Sequence, residues 1–280
     1  MSDGGRMRLD FLATGTWQHV FVSADGAPRG EGDRAVAAGG EARRAGDGPR
    51  AWVYKIPAAF GYVLPFDHPQ RFRSGKLLTR TSYALAARLP RGRRLLAARL
   101  RRRSAEKFDA MLALVESMCE SGLSDVMLPC EIMRDCEAEL RVDGAAFAYR
   151  GHVLKQRRAD YLFERSERLR SLDWGEIVEA HHRLWRHGVT FETSTALLGL
   201  KNWALFEGGL RLFDTSSLTS DPRKVARSLA PKALDRRERF ARAKQASGDA
   251  HEPLVEFFRF MRREINRGKL EQLWRADVRG

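Results

Sequence analysis

Apolar residues follow two rhythms along this chain, and the change between them limits the folds open to it. In the first half they form short extended runs rich in β-branched and aromatic side chains, such as "HVFVSADG" with its Asp25–Gly26 turn and "AWVYKIPAAFGYVLPF". One helix interrupts them. "SAEKFDAMLALVESMCESG" offers Ser104 as a cap, Gly122 as a stop and Phe108, Met111, Leu112, Val115 and Cys119 at helical spacing, so a helix is expected to start at Ser104. Extended character returns in "VMLPCEIMRDCEAELRVDGAAFAYRGHVLKQRRADYLF", with turns expected at Asp143–Gly144 and Arg150–Gly151. The second half keeps the helical period. "DWGEIVEAHHRLWRHG" opens on Asp173 and Glu176 in capping-box positions and stops at Gly188, and "EPLVEFFRFMRREINRG" aligns Leu254, Phe257, Phe258, Met261 and Ile265 on one stripe. The expected class is α+β, a sheet-rich part with one long helix followed by a mainly helical part.

A chain of 280 residues with 43% hydrophobic content can bury a substantial core. Its N-terminal stretch has no apolar signal region and no apolar run is long enough to span a bilayer, so a soluble, cytoplasmic chain is expected. Cys119, Cys130 and Cys136 form no Cys-x-x-Cys pair, which points away from a disulfide framework or a zinc site. Residues 26–50, rich in Gly, Ala and Arg, read as a flexible loop.

The net charge of +14 is densest in "RLPRGRRLLAARLRRR", residues 88–103. Basic side chains there alternate with Leu and Ala rather than with aromatics. That composition suits an anionic surface, a phospholipid head group or a phosphorylated glycan, better than a platform for single-stranded nucleic acid. A solvated basic helix without a partner fits the same residues, and nucleic-acid binding is the lesser alternative.

The segment "GLKNWALFEGGLRLFDTSS" sets two apolar runs around a Glu-Gly-Gly turn, with Asn202 before the first and Asp214 closing the second. Both residue types satisfy local backbone at strand ends. Taken alone, the segment favours that structural reading. His181, His182 and His187 lack the i, i+4 pairing of a helical zinc site and read as core or surface histidines.

Together these elements resemble the protein-kinase-like superfamily over roughly residues 10–216, nearest to bacterial kinases of lipopolysaccharide core sugars, Kdo kinases among them, and to PhoP-regulatory-network kinase-like proteins. "LATGTWQHVFVSADG" resembles a nucleotide-covering glycine loop, with Gly15 retained and Ala13 and Gln18 in the outer glycine positions, and "WVYKIP" resembles the strand whose lysine holds phosphates. "HRLWRHGV" resembles the helix that leads into the catalytic loop. The resemblance implies a two-lobed fold, with an N-lobe over 1–157 and a helical C-lobe over 158–280 carrying the hairpin 202–214. It implies ATP and Mg²⁺ as cofactors, Lys55 on the phosphates, Glu116 orienting Lys55, Gly15 letting the loop approach the nucleotide, and Asn202 and Asp214 on metal. The acceptor it implies is a sugar, an anionic glycan or a lipid-linked group, with residues 88–103 making peripheral contact with the anionic inner membrane. One position departs. The acid that receives the acceptor proton should stand five residues before Asn202, where this chain has Leu197, and the only acid between Gly188 and Asn202 is Glu192. Either Glu192 serves as base from a shifted loop, or the chain is a pseudokinase acting as a regulatory binding module.

Overall fold

The computed structural model describes residues 7–14, 18–23, 52–57, 90–142, 144–161, 171–230, 235, 238, 239, 242 and 252–274. Gly15 and the expected loop 26–50 lie outside these residues. Two compact units divide the chain: Met1–Leu112 with Cys130–Arg158, and Ala113–Pro129 with Ala159–Gly280. The division therefore differs from a single cut after residue 157, because residues 113–129 belong to the second unit.

The first unit is built on β1 (Met7–Thr14), β2 (Gln18–Ser23), β3 (Trp52–Pro57), β4 (Cys130–Val142) and β5 (Ala145–Arg157), closed into a barrel in the order β1-β2-β3-β5-β4. Neighbours pair antiparallel except where β1 meets β4 in parallel, Leu9 opposite Leu140. Closure matters because an open sheet this small would leave unpaired N–H and C=O groups along both edges. The interior is filled by Leu9, Phe21, Ile56, Leu140, Val142 and Val153, with Phe11 and Phe21 edge to face at 5.6 Å.

Chain does not turn at Arg150–Gly151 as expected; β5 runs through it. The glycine has another cause: a Cβ there would stand 2.8 Å from the Tyr149 hydroxyl, which donates to the His152 carbonyl at 2.6 Å. Opposite it β4 bulges between Met133 and Cys136, Asp135 takes φ 51°, and its N–H donates to His152 Nδ1 at 3.3 Å. A bulge of this kind sharpens the local twist.

Helix α1 (Pro90–Glu120) also departs from expectation, beginning well before Ser104. The Arg-, Leu- and Ala-rich stretch is made of good helix formers, Pro is favoured at a first helical position, and Ser104 is buried in mid-helix rather than capping it. The basic block from residue 90 onward is thus helical, and Arg102 and Arg103 are exposed on it.

In the second unit α2 (Trp174–Arg186) starts where Asp173 accepts from Gly175 N at 2.8 Å and buries Ile177, Val178, His181, His182, Leu184 and Trp185. Arg183 grips Asp125 through two 2.8 Å hydrogen bonds, tying α2 to the segment that follows α1. Three strands, β6 (Asp160–Tyr161), β8 (Trp203–Phe206) and β9 (Gly209–Leu212), form one sheet, and β7 (Thr190–Phe191) pairs with β10 (Leu218–Thr219) in another. Short helices α3 (Ser194–Leu198) and α4 (Pro222–Ser228) flank these strands, and α5 (Glu252–Glu264) and α6 (Arg267–Leu273) close the unit. Trp174 meets Phe257 and Phe260 of α5 at ring distances of 5.7 and 5.5 Å. Among the described residues no helix is long and apolar enough to cross a membrane.

Candidate functional site

Lys55 stands in the middle of β3, opposite Val20 of β2 and Leu154 of β5, and Leu154 stands opposite Ile132 of β4. Directly opposed residues share a face, so the lysine belongs to a row of Val20, Lys55, Leu154 and Ile132, with Val22, Val53, Gln156 and Cys130 in the next. Tyr54 and Ile56 alternate to the other side and enter the barrel core. Although it faces outward, Lys55 is only 3% exposed, and Gln156 is 1% exposed with a buried Nε2 that finds no hydrogen-bond acceptor among the described residues. A buried amide nitrogen on an apolar strip carries a desolvation cost that a hydrogen-bonding ligand would offset.

The second cluster grows from the β8–β9 hairpin. Glu207 and Gly208, with φ 50° and 78°, supply the two left-handed residues that a two-residue hairpin turn requires. With the turn fixed, Trp203 pairs with Leu212, and Asn202 and Asp214 come together at the open end. The Asn202 carbonyl accepts from the N–H groups of Phe213 at 2.9 Å and Asp214 at 3.4 Å, while its side-chain Nδ2 donates to Ser217 Oγ at 3.1 Å. Asp214 Oδ1 accepts from Ser216 N at 3.0 Å. Because Ser217 takes the amide nitrogen, the amide oxygen is the end left to meet a cation.

Glu192 joins the same cluster. Its N–H donates to the Ser217 carbonyl at 2.8 Å, and its Oε1 accepts from Lys224 Nζ at 2.9 Å. Leu197, where the resemblance implies an acid, is fully buried in α3, a helical turn capped by Thr193 whose Ala196, Leu197 and Leu198 all pack into the core. Glu116, half-buried on α1, belongs to the second unit, and Lys55 to the first.

Asn202, Asp214 and Glu192 thus converge through residues 213–217. Sequence reasoning missed Ser217 and Lys224. The Thr-Ser-Ser run after Asp214 was a signal for the first; nothing local marked the second. Among the described residues no three His, Cys, Asp or Glu side chains gather to hold a metal ion. An Asn and an Asp still suit Mg²⁺, which is commonly held by one or two protein oxygens and completes its shell with phosphates and water.

Behind the cluster His181 is fully buried between Phe191 and Trp203, at ring distances of 5.4 and 5.5 Å, and among the described residues neither ring nitrogen has a hydrogen-bond partner. Burial, with His182 beside it, pushes its pKa down to about 3. No protein-family model matches the chain, and no curated protein is similar to it above chance.

His181 makes a testable demand on stability. A histidine whose folded pKa lies below its unfolded value takes up its proton on unfolding, so stability falls as pH drops from about 6.5 toward about 3. Urea unfolding at pH 7 and pH 4.5 should show a smaller acid loss for His181→Phe than for the parent. Equal losses would mean that His181 is not the group that resists protonation.

Proposed function

We propose that the chain is a kinase-like phosphotransferase that moves the γ-phosphate of ATP to a hydroxyl of a sugar or lipopolysaccharide-type acceptor. The observation that carries this reading is the convergence of Asn202, Asp214 and Glu192 on one segment at the open end of a single hairpin. A barrel with a long helix described between its third and fourth strands, followed by a mainly helical unit, is in keeping with it. ATP would supply the phosphoryl group and Mg²⁺ would neutralise its charge. The amide oxygen of Asn202 and the carboxylate of Asp214 hold the metal. Lys55 Nζ binds phosphate oxygens. A Glu192 oxygen receives the acceptor's hydroxyl proton. Arg102 and Arg103 on α1 draw the protein to an anionic membrane, where a lipid-linked acceptor would be found.

A second reading, a pseudokinase that binds nucleotide and engages a partner, is favoured by two observations: Leu197 is sealed in the core, and Glu192 is already engaged by Lys224. Loss of a general base costs about 10²- to 10⁴-fold, so the two readings differ in rate rather than in binding.

Magnesium-ATP at ~100 times its dissociation constant should stabilise the parent by about 2.7 kcal/mol, and Lys55→Ala should abolish the resulting rise in melting temperature with little change in the ligand-free value. A parent that ignores magnesium-ATP, together with a variant that is grossly unstable, would make Lys55 structural. Glu192→Gln should cut turnover at least about 10²-fold with ATP affinity intact, whereas a fully active variant would remove Glu192 as base. ATP binding without transfer to sugar, lipopolysaccharide or protein acceptors would decide for the pseudokinase.

Sedimentation with anionic phospholipid vesicles tests the membrane role. Each basic residue near such a surface contributes about 1 kcal/mol, so Arg102→Glu with Arg103→Glu should release the protein at low salt. Negligible sedimentation of the parent at low salt would reduce the block to a solvated face.

A further inference from the structure

The outward face of the first unit's barrel carries three polar side chains that are nearly solvent-free, one each from β2, β3 and β5: Gln18 at 5%, Lys55 at 3% and Gln156 at 1% exposure. Register sets them in successive rows. Gln18 stands opposite Pro57, Lys55 stands opposite Val20 and Leu154, and Gln156 stands opposite Val53. Rows two residues apart are about 7 Å apart along a strand, so Gln18 and Gln156 lie one row to either side of Lys55, with roughly 13 Å of strand between them. Val20, Val22, Val53 and Leu154 make up the surface between these groups. Apolar surface with a few placed polar groups is the usual make-up of a small-molecule site. Gln156 adds the observation that points to a ligand. Its buried Nε2 meets no acceptor among the described residues, and its opposed neighbours on the face, Val53 and Cys130, carry no side-chain oxygen or nitrogen. A buried donor left unmet is costly and rare in native proteins, which supply a ligand or a water to it.

We infer that Gln156 reads the base of the bound nucleotide and selects adenine. A primary amide sets a donor beside an acceptor. Adenine offers the match on one edge, an exocyclic amine next to a ring nitrogen, whereas the same edge of guanine carries two acceptors. The Gln156 nitrogen donates to the ring nitrogen and its oxygen accepts from the amine. Val22 and Val53, in the same row, give the base apolar contact, and Lys55, one row on, is left for the phosphates. This assignment rests on the proposed phosphotransferase reading and adds to it the residue that chooses the nucleotide.

Calorimetric titration of the full chain with the magnesium complexes of ATP, GTP and purine riboside triphosphate, which is ATP without its 6-amino group, tests the assignment. The parent should bind ATP at least about fivefold more tightly than either analogue, the lower end of what one bidentate contact to a base discriminates. Gln156→Met keeps the length of the side chain and removes the amide, so it should lose that preference by weakening ATP and leave the affinity for purine riboside triphosphate nearly unchanged. Should the variant fail to fold, the three nucleotides in the parent still decide. A parent that binds all three alike, or a Gln156→Met variant that keeps the parent's preference, would overturn the inference and leave the nucleotide reading standing. A parent that binds none of them would overturn the phosphotransferase reading and the base assignment together.

Discussion

Asn202 can be buried only if its carbonyl and its amide are both met, and the segment 213–217 meets them. The same five residues also answer the N–H of Glu192. Buried backbone and amide groups left unpaired cost about 1–3 kcal/mol each, so these contacts fix the segment's path strongly. Once they form, Asp214 and Glu192 have little freedom over where they stand. The hairpin turn at Glu207–Gly208 sets the β8–β9 register, and β9 is held from its other side where Leu212 exchanges hydrogen bonds with Val126 and Leu128 at 2.8 and 2.9 Å. Trp203 and Phe191, the residues adjoining Asn202 and Glu192, pack against His181 and anchor both sides of the cluster to α2. The candidate site sits on a packed base because the groups flanking it are core.

The first unit solves a different problem. Its strands are few, and closure through the parallel β1–β4 contact removes the edges that a short sheet would expose. Closure also separates two faces. Ile56 and Tyr54 fill the interior, and the alternation of a single strand leaves Lys55 outside it on an apolar row. A lysine is seldom kept so nearly free of solvent.

Much of this was legible in the sequence where the signal was local. The Glu-Gly-Gly turn gave away the hairpin and hence the meeting of Asn202 with Asp214. Asp173 announced the start of α2. Local signals misled where a residue served a distant neighbour. Gly151 looked like a turn but makes room for the Tyr149 hydroxyl, and Ser104 looked like a cap but is buried within a helix that runs on to Pro90. Ser217 and Lys224 answer partners 15 and 32 residues away, a relation that no window of sequence displays. The resemblance implies an acid at Leu197, and the structure buries that position in a capped helical turn.

Metal held by Asn202 and Asp214 is the claim on which the functional account turns. Electron paramagnetic resonance of Mn²⁺, a magnesium substitute with a visible spectrum, measures it directly by counting free metal with and without ATP. The account predicts that ATP makes the protein bind Mn²⁺, that Asp214→Asn and Asn202→Ala each weaken that binding, and that the double variant loses it. Mn²⁺ binding that is the same in the parent and in the double variant would contradict it.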